Sequence, residues 1–327
     1  MERHLLVGNG INIQFGGSEC YSNPAIMKRV IENIKTGKYN ALTENHLTPE
    51  EQLEMFYNLV KIINDIKAGK YTKNVDGLFM LMELDRIKRT YPQNSTIESV
   101  FLEDYFLAFE TFHNRFKEND GDEKSEFYRT IMFRFLQQIM VDSIFNDGKI
   151  NYAYKNAHTD SKKFFERFTN IFTTNYDYNI EHILGKSDSV CHLHGEFNHL
   201  SPKYDVNSVY YMSHKNECDN LIAKKVEGLD HVYSNAVMSW SWLDKYGELT
   251  EPDTNQKEQL FKSIVGQVEI LGLSPNNDEH LFFLLSQNPN VKSVVYYYFN
   301  DADRQEIPHH IKKPITYKNA ATLWKSL

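Results

Sequence analysis

Residues 4–12 read His4-Leu5-Leu6-Val7-Gly8-Asn9-Gly10-Ile11-Asn12, an apolar run that leads directly into two glycines. The run predicts a buried β-strand, and Gly8-Asn9-Gly10 predicts a sharp turn from that strand into a helix. Glycines at such a turn allow the backbone to approach a pyrophosphate, whose charge the helix N-terminus favours. The full G-x-G-x-x-G pattern is absent because position 13 is Ile, so a purely structural turn explains the stretch equally well.

The C-terminal half continues this alternation of strand and helix. Apolar, β-branched or aromatic runs predict strands at Asn170–Thr174, Val190–Leu193, Val209–Met212, Gln267–Leu271 and Val291–Phe299. Asp278–Leu285 has the pattern of a short helix between the last two of these strands. Such an alternation predicts a parallel sheet with functional groups at the carboxyl ends of its strands.

The middle of the chain has a helical pattern instead. Thr48-Pro49-Glu50-Glu51 predicts a helix start with a capping box, and apolar residues then recur at three- and four-residue steps. Ser95-Thr96-Ile97-Glu98 predicts a second capping box, which leads into a helix at Val100–Phe116. A further helix is predicted at Glu126–Phe145.

These patterns together predict an α/β protein with a Rossmann-like parallel sheet domain and a large helical insertion. The sheet domain would comprise residues 1–23 and 166–327, and the inserted helical subdomain residues 24–165.

Composition and charge exclude several classes of protein. The net charge is -8 and no long Lys/Arg block is present, so nucleic acid is not an expected partner. Three cysteines without a CxxC pair argue against a four-cysteine zinc site and against a disulfide framework. With neither a secretory signal nor an apolar run of about 20 residues, we expect a cytoplasmic protein that does not enter membranes.

Polar groups follow three of the predicted strands. Two hydroxyls, an amide and a carboxylate stand in Thr173-Thr174-Asn175-Tyr176-Asp177, where a ligand site and an Asx turn that caps the next helix are both open. His192-Leu193-His194-Gly195 ends the next strand, and a third metal ligand at a convincing spacing is lacking. Ser274 could donate to a phosphate or adenosine, and Asp278 could equally cap the following helix.

The order of these motifs resembles that of the sirtuin-like superfamily. Gly-x-Gly, then TTNYD, HLHG, and GLS with a following Asp are similar to the bacterial sirtuin-like proteins of antiphage defence. The GNG turn, HLHG and the stretch GLSPNNDEHLF…YYYFND also resemble abortive-infection proteins of the H type. The resemblance covers the two ends of the chain and not residues 24–165.

The resemblance implies a role for each matching residue. Asn175 and His194 would be catalytic, with Asp177 beside the nicotinamide or its ribose and Thr174 in the same segment. The phosphates would lie over a loop in which Asn9 and Asn12 replace the family's Ala and Ser, and the adenosine side would be held after the Gln267–Leu271 strand. The cofactor-binding set is then Gly8, Asn9, Gly10, Asn12, Thr174, Gly272, Ser274 and Asp278.

The missing zinc cysteines shift the expected activity from protein deacylation to NAD⁺ hydrolysis. The resemblance therefore implies an NAD⁺ glycohydrolase that forms nicotinamide and ADP-ribose in antiphage defence, with NAD⁺ as substrate and without a metal. A non-catalytic NAD⁺ or ADP-ribose sensor, an NAD⁺-dependent deacylase or ADP-ribosyltransferase, and an interaction module of a defence system stay open. Because unregulated NAD⁺ depletion is toxic, we expect control by homo-oligomerisation, by the helical region or by a separate regulatory protein.

Overall fold

The computed structural model describes residues 2–43, 47–70, 78–102, 104–109, 148–186, 189–194, 209–211, 232–234, 259–275, 278–325 and 327, with residues 132, 135–136, 139–140 and 142–146. The chain divides into two compact units. One contains residues 1–22, 149–199 and 235–327, and the other contains residues 23–148 and 200–234.

The first unit is built on a parallel sheet. Its strands are β1 (Arg3–Val7), β2 (Asn170–Thr173), β3 (Cys191–His192), β6 (Gly266–Leu271), β7 (Val291–Tyr298) and β8 (Ile315–Asn319). Among the described residues the sheet has six strands in the order β3-β2-β1-β6-β7-β8, and each neighbouring pair is parallel. This arrangement confirms the predicted α/β, Rossmann-like fold.

A hydrophobic core covers each face of the sheet. Successive residues of a strand point to opposite faces, so a strand such as β1 contributes to both cores. Leu5 and Val7 of β1 belong to one hydrophobic core, and Leu6 belongs to the other. The first core also receives Phe164 and Phe165 of the helix Ser161–Phe165. The second core is completed by residues of the helices Glu279–Gln287 and Asp301–His310. Burial on both faces explains why a central strand such as β1 appears in the sequence as a nearly continuous apolar run.

The centre of the sheet contains a buried carboxylate. Glu269 of β6 is fully buried and accepts hydrogen bonds from Arg3 of β1. Tyr297 of β7 donates to its other oxygen at 2.7 Å, and burial together with this carboxylate raises the pKa of the Tyr297 hydroxyl. A carboxylate in this position is tolerated because a cation and a donor compensate for its lost hydration.

Residues 149–165 lie with the sheet, although their helical spacing led us to expect them in the insertion. The 3₁₀ segment Lys149–Asn156 and the helix Ser161–Phe165 bury Ala153, Phe164 and Phe165 in the first core. The apolar period of a helix shows which face is buried but not which core receives it.

The second unit is mainly helical. Its helices include Asn23–Lys35, Pro49–Lys67 and Leu78–Thr90, and the Thr48–Glu51 capping box forms as predicted. The structure differs at the second predicted capping box. The Thr96 amide donates a hydrogen bond to Ser99 Oγ, and the capped element is a 3₁₀ turn at Ile97–Ser99. Residues 104–109 are helical, whereas residues 110–116 and 126–131 of the two predicted helices lie outside the described residues.

One predicted strand belongs elsewhere. β4 (Val209–Tyr211) pairs antiparallel with β5 (Val232–Ser234) in a separate two-stranded sheet, so Val209–Met212 is not a strand of the parallel sheet. A β-rich run indicates a strand but not its partner, which tertiary packing decides. In the described part of the chain, no helix combines the length and the apolar character needed to cross a membrane.

Candidate functional site at the carboxyl edge of the sheet

The strand order reverses between β1 and β6. On one side of β1 the neighbouring strands are β2 and then β3. On the other side they are β6, β7 and then β8. Ligands of open α/β sheets bind outside the carboxyl ends of the strands at such a reversal. The predicted site residues follow β1, β2, β3 and β6, so the sheet brings all four of their segments to this one edge.

Three glycines hold two of these segments in close contact. A Cβ at Gly10 would lie 2.6 Å from Gly272 Cα, and one at Gly8 would lie 2.6 Å from Gly272 O. The Gly8 amide donates to Leu271 O at 3.0 Å, and the Gly10 amide donates to Gly272 O at 2.9 Å. These two amides therefore join the loops to each other, which gives the glycines a packing role in addition to the predicted phosphate role.

Asn175 is held in place by hydrogen bonds on its backbone and its side chain. Its amide donates to Thr173 Oγ1 at 3.0 Å, and its carboxamide Nδ2 donates to Gly8 O at 3.3 Å. The residue is 6% exposed. The hydrogen bond from Nδ2 thus fixes the carboxamide beside the turn after β1. The same bond sets the direction in which Oδ1 points.

Asp177 belongs to a buried network with two asparagines. One carboxylate oxygen accepts from Asn12 Nδ2 and the other accepts from the Asn179 amide at 2.9 Å. Asn179 Nδ2 also donates to Asn12 Oδ1 at 3.0 Å. Burial raises the pKa of Asp177, although the hydrogen bonds from Asn179 and Asn12 oppose that shift. The Asn12 bond joins the segment after β1 to the segment after β2, and the Asn179 bond is local to the latter. Both oxygens are thus engaged, which suits Asp177 for supporting the site.

The raised pKa of Asp177 predicts a change of stability with pH. The native chain keeps this proton to a higher pH than the unfolded chain. The stability that this bound proton contributes is therefore complete below the pKa of Asp177 in the unfolded chain, about 3.9. It is lost as the pH rises through the raised pKa of Asp177 in the folded protein. Relative to wild type, Asp177→Asn should become more stable as the pH rises above about 4. Urea unfolding at several pH values measures this, and a constant difference between the two proteins would contradict it.

His194 and Asp278 come from different segments and meet at the same edge. His194 Nε2 lies 3.7 Å from Asp278 Oδ1, and their side chains are 7% and 14% exposed. The Asp278 side chain accepts no capping hydrogen bond from the first turn of the helix Glu279–Gln287, whereas its backbone oxygen accepts one from the Leu281 amide at 2.9 Å. The carboxylate is thus placed to stabilise a positive charge on the imidazole. The Asp278 side chain does not cap the following helix, which was the alternative role considered from the sequence.

The other predicted residues differ in their exposure. Thr174 and Ser274 are half-buried, and Thr174 donates its amide to Val7 O at 3.1 Å. Asn9 is exposed, but its Nδ2 donates to Tyr21 O at 2.7 Å. Ser274 and Thr174 are therefore the predicted hydroxyls best placed to contact a ligand.

Sequence reasoning did not identify Asn179, Glu181 or His192 as part of the site. All three are buried, and His192 Nε2 lies 2.8 Å from Glu181 Oε1. The available signal was the presence of a polar residue on the inner face of a predicted strand and of two more in the first turn of the helix Asn179–Leu184. Within the described residues, no group of three His, Cys, Asp or Glu side chains is arranged to hold a metal ion.

Comparison with known proteins gives no relative. No protein-family model, no curated protein and no solved structure matches the chain.

Proposed function

We propose that this protein is an NAD⁺ glycohydrolase that cleaves the bond between nicotinamide and ribose. The observation that carries the proposal is that Asn175 and the His194–Asp278 pair both lie at the carboxyl edge of a Rossmann-like sheet whose strand order reverses there. A dinucleotide suits this position. At a reversal of strand order, the loops on the two sides lead away from each other, and one half of the dinucleotide can lie on each side. The order of the sequence motifs, which resembles that of the sirtuin-like defence proteins, supports the same activity.

In this proposal the adenosine half lies beside Ser274 and the nicotinamide ribose lies beside Asn175 and Thr174. Asn175 Oδ1 accepts a hydrogen bond from a ribose hydroxyl or from the attacking water. As the C1′–nitrogen bond breaks, its electron pair passes to the pyridinium ring and neutral nicotinamide leaves. No acid is needed for this leaving group.

His194 then serves as the general base. It removes a proton from the water whose oxygen bonds to C1′, and the products are nicotinamide, ADP-ribose and one proton released to solvent. An imidazole is suited to this task because its ordinary pKa lies near 6.5. Asp278, 3.7 Å from Nε2, stabilises the imidazolium that forms. In the defence role implied by the resemblance, this reaction would deplete cellular NAD⁺.

The activity is tested by incubating the purified protein with NAD⁺ and measuring nicotinamide and ADP-ribose, which should appear in equal amounts. Asn175→Ala should lower the turnover by about 100-fold or more, because the oriented contact that aligns the reacting ribose is lost. Asn58→Ala is the matched control, since Asn58 is an exposed residue of the helix Pro49–Lys67.

Two results would contradict the proposal. One is turnover by Asn175→Ala equal to that of the control. The other is binding of NAD⁺, measured by calorimetry, without release of nicotinamide, which would identify a non-catalytic sensor instead.

A further inference from the structure

The imidazole of His192 lies between two hydrogen-bond acceptors. Nδ1 is 2.8 Å from the backbone oxygen of Asn175, and Nε2 is 2.8 Å from Glu181 Oε1. His192 is 2% exposed, and Asn175 and Glu181 are each 6% exposed. These contacts join the end of β3 to the loop after β2 and to the helix Asn179–Leu184 in a part of the site that is closed to solvent.

The chemistry of these atoms fixes the number of protons that they share. A carbonyl oxygen can only accept, so Nδ1 must carry a hydrogen. The contact between Nε2 and the carboxylate needs a second proton, which either makes the ring an imidazolium or neutralises Glu181. Both arrangements leave the pair without net charge, which is the condition for burying it at a tolerable free energy.

We infer that His192 and Glu181 are positioning residues that fix the backbone of Asn175 for the reaction, an inference that rests on the proposed function. The Asn175 amide and carboxamide are held by Thr173 and Gly8. His192 supplies the remaining contact, on the Asn175 carbonyl. Without it the peptide between residues 175 and 176 can rotate about the Cα–C bond of Asn175, so Asn175 loses one of these three contacts and its carboxamide is held less firmly against the ribose. A displacement of about 1 Å at a reacting centre can cost roughly 100-fold in rate.

The test compares two double variants of similar side-chain size, of which one has a hydrogen-bond donor near the position of Nδ1 and the other has none. His192→Asn keeps an N–H close to the position of Nδ1, whereas His192→Leu has a similar size and no donor. Both carry Glu181→Gln, because an unpaired buried carboxylate would destabilise either protein. We expect kcat of the Leu variant to be about 100-fold below that of the Asn variant, with KM values within about threefold and similar thermal unfolding midpoints. Equal kcat values in two folded proteins would overturn the inference, since His192 would then only fill space.

A second measurement is independent of turnover. Long-range ¹H–¹⁵N spectra report which ring nitrogens carry a proton, and the His192 signal is identified among 13 histidines by its loss in His192→Asn. We expect a protonated Nδ1 in the wild type. In Glu181→Gln we expect a neutral ring that keeps this proton, because the glutamine amide can donate to Nε2.

The two measurements separate the inference from the proposed function. An unprotonated Nδ1 in a wild-type protein that releases nicotinamide would overturn the inference and leave the hydrolase standing. A protonated Nδ1 in a wild-type protein that binds NAD⁺ and releases no nicotinamide would overturn the hydrolase and, with it, the positioning role.

Discussion

His194→Ala is expected to reduce the rate of nicotinamide release by about 100- to 10,000-fold, the range of contributions from general bases. In the proposed reaction no other group at the site removes the proton of the attacking water. His194→Gln should lose as much activity, because an amide keeps hydrogen-bonding capacity but does not accept a proton at neutral pH. Asp278→Asn should have a smaller effect, since it removes the carboxylate that stabilises the imidazolium and retains the base.

The measurement is kcat with NAD⁺ for the wild type, the two His194 variants and His309→Ala. His309 is an exposed residue of the helix Asp301–His310, so its replacement should leave kcat unchanged. Circular dichroism of each variant separates loss of the base from loss of the fold. A folded His194→Ala protein with kcat close to that of His309→Ala would exclude His194 as the base.

Gly272→Ala is expected to destabilise the protein by about 1–3 kcal/mol more than Gly185→Ala, as overpacking of a tight contact does. Both glycines have left-handed backbone conformations, with φ values of 68° and 67°. Any residue with a Cβ therefore meets a similar conformational cost of about 1 kcal/mol at either position. The surroundings differ, since a Cβ at Gly272 would lie 2.9 Å from Ile11 N, and one at Gly185 would have nothing within 4 Å.

The difference between these two variants therefore measures the close approach of the β1 and β6 loops, free of the backbone term. Urea unfolding of both proteins gives the two free energies. Equal destabilisation would mean that the loops can separate to admit a methyl group. In that case the glycines would not be needed to hold the loops together.

The strand ends of the site could be predicted because each carries a local signal. The Gly8-Asn9-Gly10 turn, the polar cluster around Asn175 and the Gly272 loop each follow an apolar run, and parallel strands bring such ends to one edge. The prediction that His194 is catalytic came from the resemblance to the sirtuin-like family, because no local pattern requires it.

Contacts between distant residues could not be predicted in the same way. The partner of His192 is a glutamate on a helix that precedes it in the chain, and the partner of His194 is an aspartate of another segment. Hydrophobic periodicity contains no information about such pairs. β8 was missed for a different reason: it is an edge strand in which Thr316, Lys318 and Asn319 are exposed, so its sequence lacks the apolar run of a central strand.

The central place of β1 has a consequence for the order in which the protein is made and folds. Arg3 and Glu269, joined across the middle of the sheet, are separated by 266 residues in the chain. During translation β1 therefore waits, unpaired on its β6 side, until most of the polypeptide has left the ribosome. Such long-range pairings fold slowly. Because of this pairing order, the Gly8–Gly272 contact forms only after synthesis has passed residue 272. A nascent chain shorter than this lacks the assembled site, and the proposed hydrolysis of NAD⁺ could not begin on it.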